Sequence, residues 1–164
     1  MIRVYTKTRH IDKIHRFLEL KKLEHEIFTI HDNPDEGSFD LGVSYGYPRK
    51  IMNPFLTIPS KGFVNYHPGP LPHYKGPNQY QDAIKNNEIH WGVTVHCMDE
   101  EYDTGDIIRV DNFDYHEPMK SIEESNAVTH WFLFKLFKET IVDIYNEKLK
   151  STPQLKHPQI FHEN

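Results

Sequence analysis

The segment 67–77, HPGPLPHYKGP, carries four prolines in eleven residues and constrains the fold more than any other stretch. A proline fixes its own φ, has no N–H and pushes the residue before it toward extended backbone, so neither a helix nor an inner strand can run through. One element must finish before Pro68 and another must begin after Pro77. Upstream, Phe63–His67 (FVNYH) reads as a buried strand that ends on polar residues. Downstream, Tyr80, Ala83 and Ile84 share one face of a helix predicted over about 78–86.

The remaining chain alternates in the same way. IRVYT at 2–6 is β-rich, and Ile11, Ile14, Phe17, Leu18 and Leu20 follow at the three-and-four spacing of an amphipathic helix. HEIFTI at 25–30 alternates toward a second strand, and HDNPDEGS at 31–38 is a loop by its Asn-Pro and Gly signals. DLGVSYGY at 40–47 is a third strand, with a turn or short helix from Pro48 to Met52. IHWGVTVHCM at 89–98 is a further strand, DEEYDTGD an acidic turn, and IIRVDNF a hairpin-like return. Residues 123–149 contain no Gly or Pro and read as a long helix. Alternating strands and helices predict an α/β fold, a mostly parallel twisted sheet flanked by helices. The expected organisation is one domain over 1–150 and an extended or disordered tail over 151–164.

Composition narrows the function classes. A chain of 164 residues can bury an adequate core without staples, and its lone Cys97 forms neither an internal disulfide nor a cysteine-based zinc cluster. No window approaches the roughly 18 apolar residues of a membrane span, and the N-terminus lacks a signal-peptide apolar region, so the expected location is the cytoplasm. A net charge of -5 without a Lys/Arg block argues against nucleic acid as a partner. The twelve histidines include no HExxH, no pair at four-residue helical spacing with a carboxylate and no accompanying cysteine set, so no metal is expected.

Ligands of open α/β sheets bind beyond the carboxyl ends of strands. Asn65 and His67 sit there, two apart and therefore on one side of the strand. Asp103 lies in the later acidic turn, two residues before Gly105. An amide, an imidazole and a carboxylate converging on one cleft can position an amine, stabilise an oxyanion and relay a proton. Taken singly, each has a plainer reading: Asn65 caps a turn, His67 packs, and Asp103 makes an Asx-turn. His96 fits a core or supporting role and Cys97 a small buried residue.

The string FVNYHPGPLPHYKGPNQYQDAI, a short spacer and WGVTVHCMDEEYDTGDII resembles the 10-formyltetrahydrofolate-dependent formyltransferases. Their pattern is an Asn-x-His-Pro strand end, a Leu-Pro loop, an aromatic-basic-Gly triplet, Gly-Val-Thr-x-His and Asp-x-Gly, and the likeness spans about residues 39–110. The resemblance implies a Rossmann-like fold, Asn65, His67 and Asp103 as the catalytic trio, and 10-formyltetrahydrofolate as co-substrate with no metal. It also implies a pterin pocket formed, largely through backbone groups, by Tyr47, Pro48, Arg49 and Lys50 on one side and the loop from Met98 to Asp103 on the other, with Met98, Asp99 and Glu100 as its named contacts. His73, Tyr74, Lys75 and Asn78 are candidates to shape the amine pocket, with simple loop packing the alternative for His73 and Tyr74.

Within that family the chain has no length after its long helix for the barrel of the tRNA-directed branch. TKTRHI after the first strand has no glycine to match the phosphate loop of the glycinamide-ribonucleotide branch. The sugar branch fits best, so the implied substrate is the primary amine of an amino-sugar nucleotide, such as a dTDP-linked amino-dideoxyhexose. Another small amine, or a folate-binding module without turnover, is the alternative. Only a loop separates Ile30 from Phe39, where the family carries a further strand and helix, so the N-terminal half is expected to be abbreviated. Trp131, Phe132, Phe134 and Phe137 make the long helix apolar on more than one face, which predicts a homodimer built partly on it, or a wide core within one chain.

Overall fold

The computed structural model describes residues 1–33 and 37–154. Strands β1 (Ile2–Thr6), β2 (His25–Phe28), β3 (Leu41–Tyr45), β4 (Phe63–His67), β5 (His90–Cys97) and β6 (Ile107–Asp114) form one sheet in the order β2-β1-β3-β4-β5-β6. The β1–β2, β1–β3 and β3–β4 pairings are parallel, whereas β5 is antiparallel to both β4 and β6. The sheet is therefore mixed, with β5 the one strand reversed. Every residue of β1 and β3 is buried, as suits strands paired on both sides and covered on both faces.

The two faces are covered differently. Helix α1 (Ile11–Leu20) contributes Ile14 and Leu18, and helix α3 (Ile122–Tyr145) contributes Leu133, Leu136, Phe137 and Ile141, to a core built on Val4, Val43, Val64, Tyr66, Val93 and Val95. On the other face Tyr5, Phe39, Ile51 and Phe63 are closed over by Phe55, Leu56 and Met98. That cover comes from the connections beside β3 and β5, not from a long helix. The short helix α2 (Gln79–Lys85) packs Tyr80 and Ala83 against Trp91 and Met119.

The chain ends its elements where local chemistry supplies a stop. Strand β2 stops two residues short of the predicted end, because the Thr29 N–H and hydroxyl both donate to Asp32. Helix α3 begins one residue earlier than predicted, since Ser121 accepts the Glu124 N–H at 3.1 Å in the manner of an N-cap. It finishes at Tyr145, and Glu147 at φ 56 turns the chain away. Thr152 bridges Ile107 through two backbone hydrogen bonds of 2.7 and 2.8 Å, so the start of the expected tail is extended and bound. Residues 34–36 of the predicted loop and 155–164 of the predicted tail lie outside the described residues.

Most of the extra apolar width of α3 is used within the chain: Phe132 stacks on Phe113, and Phe134 stacks on Phe137. Trp131 remains 65% exposed. Phe137 is fully buried and meets Phe17, Tyr45 and Tyr66, which ties both long helices to the middle of the sheet. Phe137→Ala should therefore destabilise the fold by about 3–5 kcal/mol, read as a lower urea midpoint with an unchanged slope.

Candidate active site

In the β4–β5 ladder Asn65 stands opposite His96 and His67 opposite Thr94. Val64 and Tyr66 point into the helix-covered core, so strand alternation turns Asn65 and His67 to the other face. The loop after β4 is held there by Thr94, whose hydroxyl donates to the Gly69 carbonyl at 2.8 Å and accepts the Leu71 N–H at 3.0 Å. A Cβ on Gly69 would come within 2.7 Å of His67 Nε2, so only glycine leaves that ring its place.

Asp103 reaches the same spot from the β5–β6 connection. It is 9% exposed and accepts from the Gly76 N–H at 2.8 Å and from Asn65 Nδ2 at 3.1 Å. His67 Nδ1 and His96 Nε2 each lie 3.3 Å from its carboxylate oxygens. Its backbone sits at φ 55, a conformation that costs a non-glycine residue about 1–2 kcal/mol. Asp103 itself takes the left-handed conformation in this turn, two residues before Gly105. Gly105 is required for another reason: a Cβ there would meet the Cys97 carbonyl oxygen at 2.0 Å. Gln154 closes the loop from outside, its Nε2 donating to the carbonyls of Asp103 at 3.0 Å and Gly105 at 2.7 Å.

The charges follow from these contacts. Burial alone would raise the Asp103 carboxyl, but the adjacent His96 and His67 rings and the Gly76 N–H outweigh it and hold it well below the usual range. The carboxylate is therefore ionised. His67 Nε2 faces the Tyr74 carbonyl at 2.8 Å, an acceptor only, so that nitrogen carries a proton. Its Nδ1 faces Asp103, and a second proton there would make the ring an imidazolium clamped between two acceptors. Burial pushes the His67 pKa down, and Asp103 and the Tyr74 carbonyl oppose that shift without reversing it. His96 donates from Nδ1 to the Cys97 carbonyl at 2.7 Å and accepts from Asn65 Nδ2 through Nε2 at 3.2 Å.

A cleft of about 600 Å3 opens over this cluster and is lined by Asn65, His67, His96 and Asp103. Tyr47, Pro48, Arg49 and Lys50 form part of its wall, together with Met98 and Asp99. Glu100 does not line it: its carboxylate accepts from Asn53, and Glu101 and Tyr102 take its place in the wall. His73, Tyr74, Lys75 and Asn78 are likewise outside the wall, where Gly76, Pro77, Gln79 and Tyr80 stand instead. Tyr74, at φ 52, offers only its carbonyl to His67 and turns its ring onto Trp91, with its hydroxyl donating to Glu88. Asn78 is an exposed cap of α2.

Sequence reasoning missed Gln79, which is 7% exposed, lines the cleft and keeps a buried amide oxygen without a partner. It also missed a cationic end of the cleft. Lys7 and His130 line the wall there, Arg9 donates to His10 Nε2 at 3.3 Å, and the His10 and His130 rings stack at 4.9 Å. Burial and the neighbouring cations lower His10 to about 3, His130 to about 4 and Lys13 to about 8. Among the described residues Lys7, Arg9 and Lys13 form no salt bridge, although the chain is acidic overall. The density of basic types in KTRHIDK was a visible signal; His130, from the middle of α3, was not.

The Rossmann-like mixed sheet thus brings an amide and an imidazole on β4 together with a buried carboxylate from the β5–β6 connection. The formyl transferase family model matches residues 18–140, and the chain belongs to that family. It is 32% identical over 136 residues to a GDP-perosamine N-formyltransferase of Brucella melitensis, covering 78% of this chain and 47% of that protein. It is 39% identical over 69 residues to a methionyl-tRNA formyltransferase of Roseiflexus, covering 42% of this chain and 21% of that protein. The chain thus spans half or less of the length of these relatives. The formyltransferase PseJ from Anoxybacillus kamchatkensis, solved with UDP-4,6-dideoxy-4-formamido-L-AltNAc and tetrahydrofolate, superposes with TM-score 0.80 at 27% identity, over 96% of this chain and 83% of that one. The phosphoribosylglycinamide formyltransferase of Streptococcus pneumoniae shares the fold, with TM-score 0.69 at 19% identity over 88% and 98% of the chains.

Two outcomes follow from the site alone. His10 and His130 have folded-state pKa values of about 3 and about 4, so the unfolded chain binds more protons below about pH 6.5. Stability should therefore fall as pH drops from about 6.5 toward 4, and His130→Gln should flatten the slope of urea midpoint against pH. Gln154→Ala removes both donors to the Asp103 loop, so amide exchange around Gly105 and Asp106 should accelerate while the far-UV circular dichroism stays the same.

Proposed function

We propose that the chain moves a formyl group from 10-formyltetrahydrofolate to the primary amine of a nucleotide-linked amino sugar. The observation that carries this reading is the single hydrogen-bonded cluster of Asn65, His67 and Asp103 beneath one cleft. The walls suit the co-substrate: Tyr47, Ile51, Met98 and Tyr102 offer flat apolar surface for a bicyclic ring, close to the cluster. 10-Formyltetrahydrofolate supplies an activated formyl carbon and a nitrogen leaving group that departs as N–H.

In this reading Asn65 Nδ2 and the His67 Nε2–H donate to the formyl oxygen as it gains negative charge, and the proton lost by the attacking amine passes by way of Asp103 to the departing folate nitrogen. Before substrate binds, these donors are satisfied internally: Asn65 Nδ2 is shared between Asp103 and His96, and His67 Nε2 bonds to Tyr74. Substrate must displace the longer Asn65–His96 contact and turn His67 from the Tyr74 carbonyl. Such bonds commonly reorganise only in the reactive complex. The unpartnered Gln79 oxygen would accept a hydroxyl or amine proton of the sugar, and the cationic end around Lys7 and Arg9 supports an anionic substrate group, which a nucleotide diphosphate provides. The perosamine enzyme and the PseJ complex support the same substrate class. No helix among the described residues is long and apolar enough to cross a membrane, and a cytoplasmic location suits a folate-dependent reaction. Exposed Trp131 beside Phe134 supports a homodimer through α3; a monomer mass independent of concentration would remove that part.

Mixing the protein with 10-formyltetrahydrofolate and amino-sugar nucleotides should release tetrahydrofolate, and no release with any amine overturns the reading. Asn65→Ala should lower kcat about 10²–10³-fold, the cost of one oxyanion donor, and His67→Ala and Asp103→Ala at least as much. Lys7→Ala and Arg9→Ala should instead raise KM for the nucleotide sugar with kcat little changed.

A further inference from the structure

The geometry points to a transition-metal site, away from the cleft, formed by His15, Glu19 and His25. Their ligand atoms all lie within 4.8 Å of one another, and they are the group of this kind found among the described residues. His15 and Glu19 are four apart on α1 and so share one exposed face. His25 opens β2, brought alongside by the tight turn in which Leu23 N–H donates back to Leu18 and Lys22 takes φ 54.

Three features separate this group from a chance meeting of surface side chains. His15 Nδ1 and His25 Nε2 face each other at 2.9 Å, whereas two nitrogens bound tetrahedrally to one zinc ion at about 2.0–2.1 Å stand about 3.3 Å apart. A small rotation of the exposed His15 ring opens that gap. His25 Nδ1 donates to the Leu23 carbonyl at 2.7 Å, which fixes the ring orientation and leaves the Nε2 lone pair facing His15. A backbone carbonyl holding the far nitrogen is the arrangement that orients metal-bound histidines in general. Finally, Glu19 adds the negative charge that two neutral imidazoles lack.

Two imidazoles and a carboxylate with a side open to solvent suit Zn²⁺ first, with Cu²⁺ or Ni²⁺ as competitors, and water completes the coordination. No proton need leave the protein from His15, because its neutral ring can carry its proton on Nε2 instead of Nδ1. The ion would clip the second half of α1 to β2, which is an edge strand of the sheet. Sequence spacing hides this group because the third ligand comes from another element, and the search for paired histidines on one helix passes over it.

The test uses the untagged full chain, freed of metal with a chelator and titrated with Zn²⁺ by calorimetry. One saturable equivalent is expected, weakened at least tenfold by His15→Ala and by His25→Ala and unaffected by His90→Ala at a separate exposed His–Asp pair. Zn²⁺ should also raise Tm in the parent but not in His25→Ala. As a measurement needing no variant, the imidazole ¹⁵N resonances of His15 and His25 should shift together with the first equivalent. Absence of saturable binding, equal binding by a His15→Ala/His25→Ala double variant, or first-equivalent shifts at other histidines would each overturn the proposal. None of these readouts depends on turnover, so the result stands apart from the formyl-transfer reading.

Discussion

A carboxylate that is ionised and nine-tenths buried is the constraint on which the site depends. Asp103 can remain charged in that position only because donors converge on it, the β4 side chains of Asn65 and His67 and the Gly76 backbone, with the His96 ring of β5 3.3 Å away. Removing one partner from such a buried charge costs about 3–5 kcal/mol, far more than a surface pair. The proline loop, the β5 strand and the β5–β6 connection are consequently fixed relative to one another by the requirement to satisfy one side chain. Gly105 and Gln154 serve the same requirement from behind, one by permitting close approach to Cys97 and the other by binding the loop carbonyls.

The asymmetry of the layers explains where the chemistry is exposed. Both long helices lie on the face carrying Val64 and Tyr66, and their packing makes that side a closed core. The opposite face of β4 carries Asn65 and His67 and is roofed by loops, which leave a cleft rather than a second helical layer. With only a short connection between β2 and β3, the cleft stands between connecting segments, and its walls come mostly from loops. Loops are where binding residues sit on rigid scaffolds, and here the rigid part is the buried middle of the sheet.

The cleft carries both charge signs. Asp103, Asp99 and Glu101 line it, as do Arg49 and Lys50, while Lys7 and His130, backed by Arg9 and Lys13, form its basic end. The basic end is costly for the free protein, since its groups repel one another and burial disfavours their charged forms. Structures retain perturbed, unpaired charges mainly where a ligand completes them.

The strand-and-helix alternation, the strand end at Asn65 and His67, the stiff loop and the turn bearing Asp103 were all legible in the sequence. They depend on local rules: apolar spacing, the backbone limits of proline, and the two-residue period of a strand. The Tyr47–Lys50 and Met98–Asp99 walls were legible through the resemblance of the string to a known family. What the chain order could not reveal depends on which elements become neighbours. The β4–β5 register places His96 beside Asn65, the fold brings residue 154 back to residue 103, and α1 sets His15 and Glu19 against His25. The direction of the Tyr74 ring, away from the cleft, was decided by Trp91 and Glu88, which lie on other segments. Sequence by itself determined the elements and the chemical types at their ends, because those follow from interactions within a few residues. Tertiary structure alone decided partners, charge states and pocket walls, because burial and hydrogen bonding across the sheet depend on distance in space and not along the chain.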